Sequence, residues 1–348
     1  IPAKDGEIGG NPEAMDSEHS EKKHKRGGKH GNRHKKPQSS TGCTTGSGPV
    51  AVNGVRHELV KILLPIDRSE LSGEALRYTL ALASKIGGHV TLFHATQEPD
   101  PTDAWNFLWG AKAVAASVGM DVDLCVLPKP PQECLVEQTK FFDLVVMATH
   151  GRHGLDRLVF GSVTECVLRN GDCPVLCLHD QERDFAMDVK HRILLCYDGS
   201  DCADHALHAM VSLIKPLRAE VTVLTVVRDG KASACSEDGV RSLKEAGLIW
   251  QQEIDSNAAH EEAFHMLGSA TATIKDCLGK KFMVHTKAEM AEGRRTADVI
   301  LQASHGYSMV VLGTHGREGP CRSLGGSVTE AVVRGSTVPV FVVGPHCR

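Results

Sequence analysis

From residue 59 to the carboxyl end, short apolar runs alternate with stretches whose apolar residues recur at helical spacing, the pattern of β-α-β units feeding a parallel sheet. In the first half the strand-like runs are 59–67 (LVKILLPID), 89–95 (HVTLFHA), 121–127 (DVDLCVL), 143–149 (DLVVMAT) and 174–180 (PVLCLHD). After the first of them, Leu71, Ala75, Leu76, Leu80 and Ala83 fall on one helix face. Ser69 is placed to cap that helix, and Gly87 and Gly88 to end it, so it is expected to lie on the sheet.

The second half repeats the order, with runs at 192–198 (RILLCYD), 220–227 (EVTVLTVV), 281–288 (KFMVHTKA), 309–315 (MVVLGTH) and 338–344 (VPVFVVG). Independent landmarks agree on the duplication: Asp67 and Asp198 lie 131 residues apart, while Gly151 and Gly316, Gly161 and Gly326, and Pro174 and Pro339 each lie 165 apart. The second copy therefore carries 34 extra residues, most of them between 228 and 280, a stretch that reads equally as a lid, a partner surface or an elongated helix. The fold expected is α/β, two tandem five-stranded parallel-sheet domains over 59–180 and 191–348, joined by a short polar linker over 181–190.

Composition narrows the picture. At 348 residues the chain is long enough for two cores, and 41% hydrophobic with 24% charged residues is the balance of a soluble globular protein. Aromatics, at 4%, are too scarce for base-stacking platforms on single-stranded nucleic acid. No run approaches the ~20 apolar residues of a membrane span, so no membrane partner is expected. The twelve cysteines form no C-x-x-C pair, and Cys125, Cys177 and Cys196 fall inside strand-like runs, which points to buried side chains and a reducing, cytoplasmic compartment.

Residues 1–58 form a Lys-, His- and Gly-rich tail, almost without large apolar side chains up to residue 50, and it is expected to stay disordered. Its first 50 residues hold nine Lys/Arg against six Asp/Glu, net +3, which leaves the remainder near −7. The run at 22–36 (KKHKRGGKHGNRHKK) reads as a solvated tail, with contact to nucleic acid or another anionic partner, or nuclear import, as the functional alternatives. His24, His30 and His34 lack the fixed geometry of a metal site, and none is expected there.

The chemistry concentrates after the fourth strand of each copy, where 148–165 reads ATHGRHGLDRLVFGSVTE and 313–330 reads GTHGREGPCRSLGGSVTE. Gly151 and Gly316 permit a positive φ and let backbone N–H groups approach an anion. Gly161-Ser162 and Gly326-Ser327 then open a helix, whose amino end offers unpaired N–H donors and the positive end of the helix dipole, both suited to phosphate. The serine hydroxyl either adds a donor or caps the helix. One such loop reads as well as a simple turn, whereas two with the same nine-residue spacing favour a phosphate cradle.

At the tip of each first strand, Asp67 and Asp198 face the same crevice, where an acid accepts hydrogen bonds from a ribose or an adenine amine, or else caps the next helix. Neither Walker A nor the dinucleotide fingerprint occurs, and no lysine is placed to reach a β- or γ-phosphate, so any hydrolysis is expected to be slow. His150 and His315 are the acid/base candidates.

These loops match the G-x2-G-x9-G-[ST] motif of the ATP-binding universal stress proteins, and the chain resembles that family over 59–179 and 191–345. The resemblance implies a Rossmann-like strand order 3-2-1-4-5 with helices on both faces, and a pseudo-dimer of the two domains with their fifth strands edge to edge. It also implies ATP, with or without Mg2+, between the first-strand tip and the loop. Carried over residue by residue, the first site uses Asp67, the backbone at Ala95 beside the adenine, and Gly151, Gly161, Ser162 and Val163 around the phosphates. The second uses Asp198, Val226, Gly313, Gly316, Gly326, Ser327 and Val328.

Two departures stand out: Ala148 replaces the motif's first glycine, crowding the ribose or phosphate with a methyl, and Pro320 removes an N–H from the second loop. The function implied is stress-response regulation through a bound adenine nucleotide, with little or no turnover and scope for a further homodimer. The alternatives are a slow nucleotide hydrolase or adenylyl-transfer enzyme, and a nucleotide-free interaction module working through the basic tail.

Overall fold

Each strand-like run forms a strand. The computed structural model describes residues 51–52, 55–56, 60–149, 161–179, 191–217, 219–227, 258–314 and 327–347, all within the unit Ser40–Arg348. Two short strands, β1 (Ala51–Val52) and β2 (Val55–Arg56), pair antiparallel as a separate ribbon inside the stretch expected to be a tail.

Domain one then runs β3 (Val60–Pro65), α1 (Glu70–Ile86), β4 (Gly88–Ala95), α2 (Thr102–Ser117), β5 (Asp123–Leu127), α3 (Pro131–Thr139), β6 (Leu144–Ala148), α4 (Ser162–Asn170) and β7 (Val175–Leu178). Domain two repeats this as β8 (Arg192–Cys196), α5 (Asp201–Ile214), β9 (Glu220–Val227), α6 (Ala258–Leu278), β10 (Val284–Met290), α7 (Thr296–Ala303), β11 (Met309–Gly313), α8 (Ser327–Gly335) and β12 (Val340–Val343).

The ten strands make one continuous sheet in the order β10-β9-β8-β11-β12-β7-β6-β3-β4-β5. Within each domain the pairing is parallel and the order is third, second, first, fourth, fifth. The fifth strands β7 and β12 meet antiparallel, with Phe341 opposite Leu176, which is the edge-to-edge pairing the resemblance implied. Both are buried on both faces, as central strands between helical layers must be.

One face carries Leu76 and Leu80 of α1, Leu108 of α2, Met210 of α5 and Ile274 of α6. The opposite face carries Leu135 of α3, Val167 of α4, Ile300 of α7 and Val332 of α8.

Local chemistry sets the ends of these elements. The Ser69 hydroxyl accepts from the Ser72 N–H to cap α1, and Ser200 does the same from Ala203 for α5. Gly87, at φ 68°, closes α1 in the left-handed conformation, while Gly88 already begins β4 rather than ending the helix.

Some boundaries differ from the sequence reading. The run at 281–288 becomes a strand only from Val284, because Phe282 still donates to the Gly279 carbonyl in the turn leaving α6. α6 itself is the domain-two counterpart of α2. Its buried Ala263, Leu267 and Ile274 lie 159 residues beyond Ala104, Leu108 and Ala115, so the stretch read as excess includes an ordinary helix of the fold. The linker 181–190 and residues 228–257 lie outside the described residues.

Candidate functional site

Parallel register fixes what meets at the carboxyl ends of the strands. Pro65 is level with Phe93, which sets Asp67 level with Ala95; Cys196 is level with Leu224, which sets Asp198 level with Val226. On the other side of each first strand, Leu63 pairs with Val145 and Leu195 with Val311. Continued upward, that register brings Ala148 and Gly313 beside the same tips. In both domains, then, the first-strand aspartate, the second-strand backbone position and the start of the motif loop stand together at the carboxyl end of the sheet, the end where open α/β folds bind ligands.

The aspartates also organise their own turns. Oδ1 of Asp67 accepts from the Ser69 N–H at 3.0 Å and the Ser72 hydroxyl at 2.6 Å, and also from the Ser69 hydroxyl. Oδ1 of Asp198 accepts from the Ser200 N–H at 3.2 Å and its hydroxyl at 2.6 Å. Neither aspartate is the helix cap, since serine holds that role in each case. These bonds to the turn hold the carboxylate in place at the carboxyl end of the first strand.

Sequence reasoning missed the residues that brace the tip. Nδ1 of His94 lies 2.8 Å from the Ile66 carbonyl, and because a carbonyl only accepts, Nδ1 carries the proton there. In domain two the Thr225 hydroxyl donates to the matching Tyr197 carbonyl at 2.8 Å. Both braces come from the second strand and hold the carbonyl just before the aspartate. The threonine of each Thr-His-Gly frame ties the fourth strand to the fifth: Thr149 donates N–H and hydroxyl to the Leu178 carbonyl at 2.7 and 2.8 Å, and Thr314 donates its N–H to Val343 at 2.9 Å.

The motif helices begin where expected. α4 starts at Ser162 with Gly161 as N-cap and no side-chain cap, so its amino end has the form of an anion acceptor. Ser162 does not cap the helix; its exposed Oγ accepts from the Gln132 amide at 3.2 Å. Val163 and Val328 both pack partly buried beneath the motif. α8 starts at Ser327. Gly151, Gly316 and Gly326, with His150, His315 and Pro320, lie outside the described residues.

Gly313 has a role the sequence did not indicate. A Cβ there would stand 2.2 Å from the Cys202 carbonyl oxygen and 3.1 Å from the Ala203 nitrogen, in the first turn of α5. This glycine lets a helix backbone press onto the strand. Ala148, its counterpart, is where domain one tolerates a methyl. The thiols near the second tip are not poised as nucleophiles: burial first, then Asp198, pushes Cys196 up to about 12, and burial with Asp198 and Asp201 raises Cys202. Among the described residues no group of three or more His, Cys, Asp or Glu is placed to hold a metal ion.

Comparison with known proteins fits this geometry. The family described as the Universal stress protein family matches residues 104–179 and 190–344. A universal stress protein of Mycolicibacterium smegmatis is 24% identical over 306 residues, covering 82% of this chain and 97% of the relative. One from Mycobacterium tuberculosis H37Rv is 25% identical over 231 residues, covering 66% and 72%. Among solved structures, a universal stress protein from Archaeoglobus fulgidus superposes with a TM-score of 0.59 at 21% identity, over 82% of this chain and 98% of that one.

Proposed function

The chain belongs to the universal stress protein family, and from that premise we propose that its domains hold adenine nucleotide, ATP, at the carboxyl ends of their first, second and fourth strands. The observation that carries the reading is the repeated constellation: an aspartate fixed by its own turn, level with Ala95 in one domain and Val226 in the other, with the motif helix of each domain starting at its serine, Ser162 or Ser327. ATP brings a base that needs polar edges to pair with and a polyphosphate that needs donors without a Cβ in the way.

The second-strand backbone meets the base, and the aspartate carboxylate meets an amine or ribose hydroxyl. The amino ends of α4 and α8, with Gly161, Ser162 and Val163 and with Gly326, Ser327 and Val328, meet the phosphates. Gly151 and Gly316 complete the loops.

No nucleophile is activated at the described tips, and no lysine stands in the motif, so the nucleotide acts as a ligand and not as a consumed substrate. Occupancy would then regulate the stability and contacts of a cytoplasmic protein whose domain boundaries we place at 59–180 and 191–348. Mg2+, where present, accompanies the phosphates.

A ligand of the native state must stabilise it. At free ATP one hundredfold above Kd, the gain is about 2.7 kcal/mol per site, read as a rise in melting temperature without release of ADP or AMP. A melting temperature that ATP leaves unchanged at every concentration contradicts the reading.

A further inference from the structure

We propose that Cys173 and Cys347 form an oxidation site, a thiol pair that hydrogen peroxide closes into a disulfide across the seam between the two domains. Val342 lies opposite Val175 in the antiparallel pairing of β12 with β7, and the same register continued sets Gly344 opposite Cys173. Directly opposite positions of an antiparallel pair hold their Cβ atoms about 5 Å apart. A Cβ on Gly344 would stand 3.7 Å from Sγ of Cys347, 3.1 Å from the Leu168 carbonyl oxygen and 3.9 Å from that of Gly171, the last two in domain one. The Cys347 sulfur therefore lies beside the space that the missing side chain of Gly344 leaves, on the stretch of seam that Cys173 borders from the other domain.

The turn after β12 holds the sulfur there: the Gly344 N–H donates to Sγ of Cys347 at 3.2 Å, and the Cys347 N–H donates to the Gly344 carbonyl at 3.3 Å. The equivalent place at the other end of the seam lacks the pair, since the counterpart of Gly344 is His179 and that of Cys173 is Val338. Cys173 is buried and Cys347 half-buried, so peroxide meets Cys347 first. The Cys347 thiolate attacks one peroxide oxygen, the O–O bond breaks, and the other oxygen leaves as water with the thiol's proton. Cys347 is then a sulfenic acid. The Cys173 sulfur attacks it, the S–O bond breaks, and the departing hydroxide takes the Cys173 proton as a second water, the two thiols having passed two electrons to the peroxide. Burial, against the Gly344 bond and with Asp172 adding, pushes the Cys347 thiol up to about 11, and burial raises Cys173 as well, with Cys347, Asp143 and Asp172 adding. Thiolate is scarce at neutral pH, so the pair stays reduced through brief exposure and closes under sustained exposure. Because Val343 is level with Gly313, the closed link ties domain one to the carboxyl end of the domain-two sheet.

Peptide mapping of the intact chain, without nucleotide, tests this independently of the ATP reading. The chain is held in excess hydrogen peroxide in mildly alkaline buffer, alkylated, and digested with trypsin without reduction. The expected product joins residues 170–183 to 335–348, lighter by two hydrogens than the two peptides together. Fragment ions are expected to place the bond on Cys173 and not on Cys177, which shares its peptide. The linked chain should unfold at higher urea than the reduced one, since the link closes a long loop of the unfolded chain, and dithiothreitol should reverse the shift. Cys347→Ser should remove both the link and the shift. A map without the link overturns the proposal, and so does Cys347 joined to a different cysteine or carried to sulfinic or sulfonic acid in place of the link.

Discussion

Gly313 and Ala148 occupy equivalent positions, and the contrast between them separates a packing role from a ligand role. A methyl group at position 313 would stand 2.2 Å from the Cys202 carbonyl oxygen, so Gly313→Ala must push α5 off the sheet, at a cost of about 1–3 kcal/mol. Ala148→Gly should cost only about 0.5–1 kcal/mol, the entropic penalty of glycine in a strand. Urea midpoints of the two variants, at unchanged m, check the difference. The glycine was visible in the sequence as part of a phosphate motif, but its neighbour was not, because Cys202 lies far earlier in the chain. Sequence separation likewise hid His94, Gln132 and Thr149, whose partners are 28, 30 and 29 residues away. No local spacing announces such pairs, whereas Asp67 and Asp198 were legible because the repeat printed them twice.

At the scale of elements, strands were legible wherever both faces are buried, since an unbroken apolar run has few other uses. The edge strand β10, alternating half-buried and exposed residues, was the one whose start shifted furthest. Helix starts were legible from serine: Ser69 and Ser200 cap α1 and α5 with matching bonds of 3.3 Å. Ser200→Ala is therefore expected to lower stability by about 1 kcal/mol, measurable by chemical denaturation. The serines of the motif helices were ambiguous between donor and cap, and the structure resolves this for Ser162, which lies inside its helix and does not cap it. α6 was legible only as one of three readings of its stretch, an elongated helix beside a lid or a partner surface, because glycines at 230, 239 and 247 interrupt the pattern ahead of its apolar face.

The whole molecule is held together by the β7–β12 pairing and by side chains that cross it. His179, at the end of β7, bonds through Nε2 to the Val333 carbonyl of α8 in the other domain, and His191 lies buried at the start of β8. Burial lowers both, against the bond to Val333 for the first and with the Lys85 ammonium adding for the second. A histidine held below its unfolded value binds fewer protons folded than unfolded. Its contribution is complete above about pH 6.5 and is lost as pH falls from there through the folded pKa. Stability should therefore decline on acidification below about pH 6.5, and His179→Gln should flatten that decline in a melting-temperature series across pH.

No helix among the described residues is long and apolar enough to cross a membrane. The central proposal is that the carboxyl ends of the strands hold ATP. Native mass spectrometry of the gently purified, intact chain tests that claim most directly. Adducts of one or two ATP masses per chain are expected, retained after mild desalting and restored when ATP is added back to stripped protein. A spectrum showing only the bare chain, even with ATP in large excess, would contradict it.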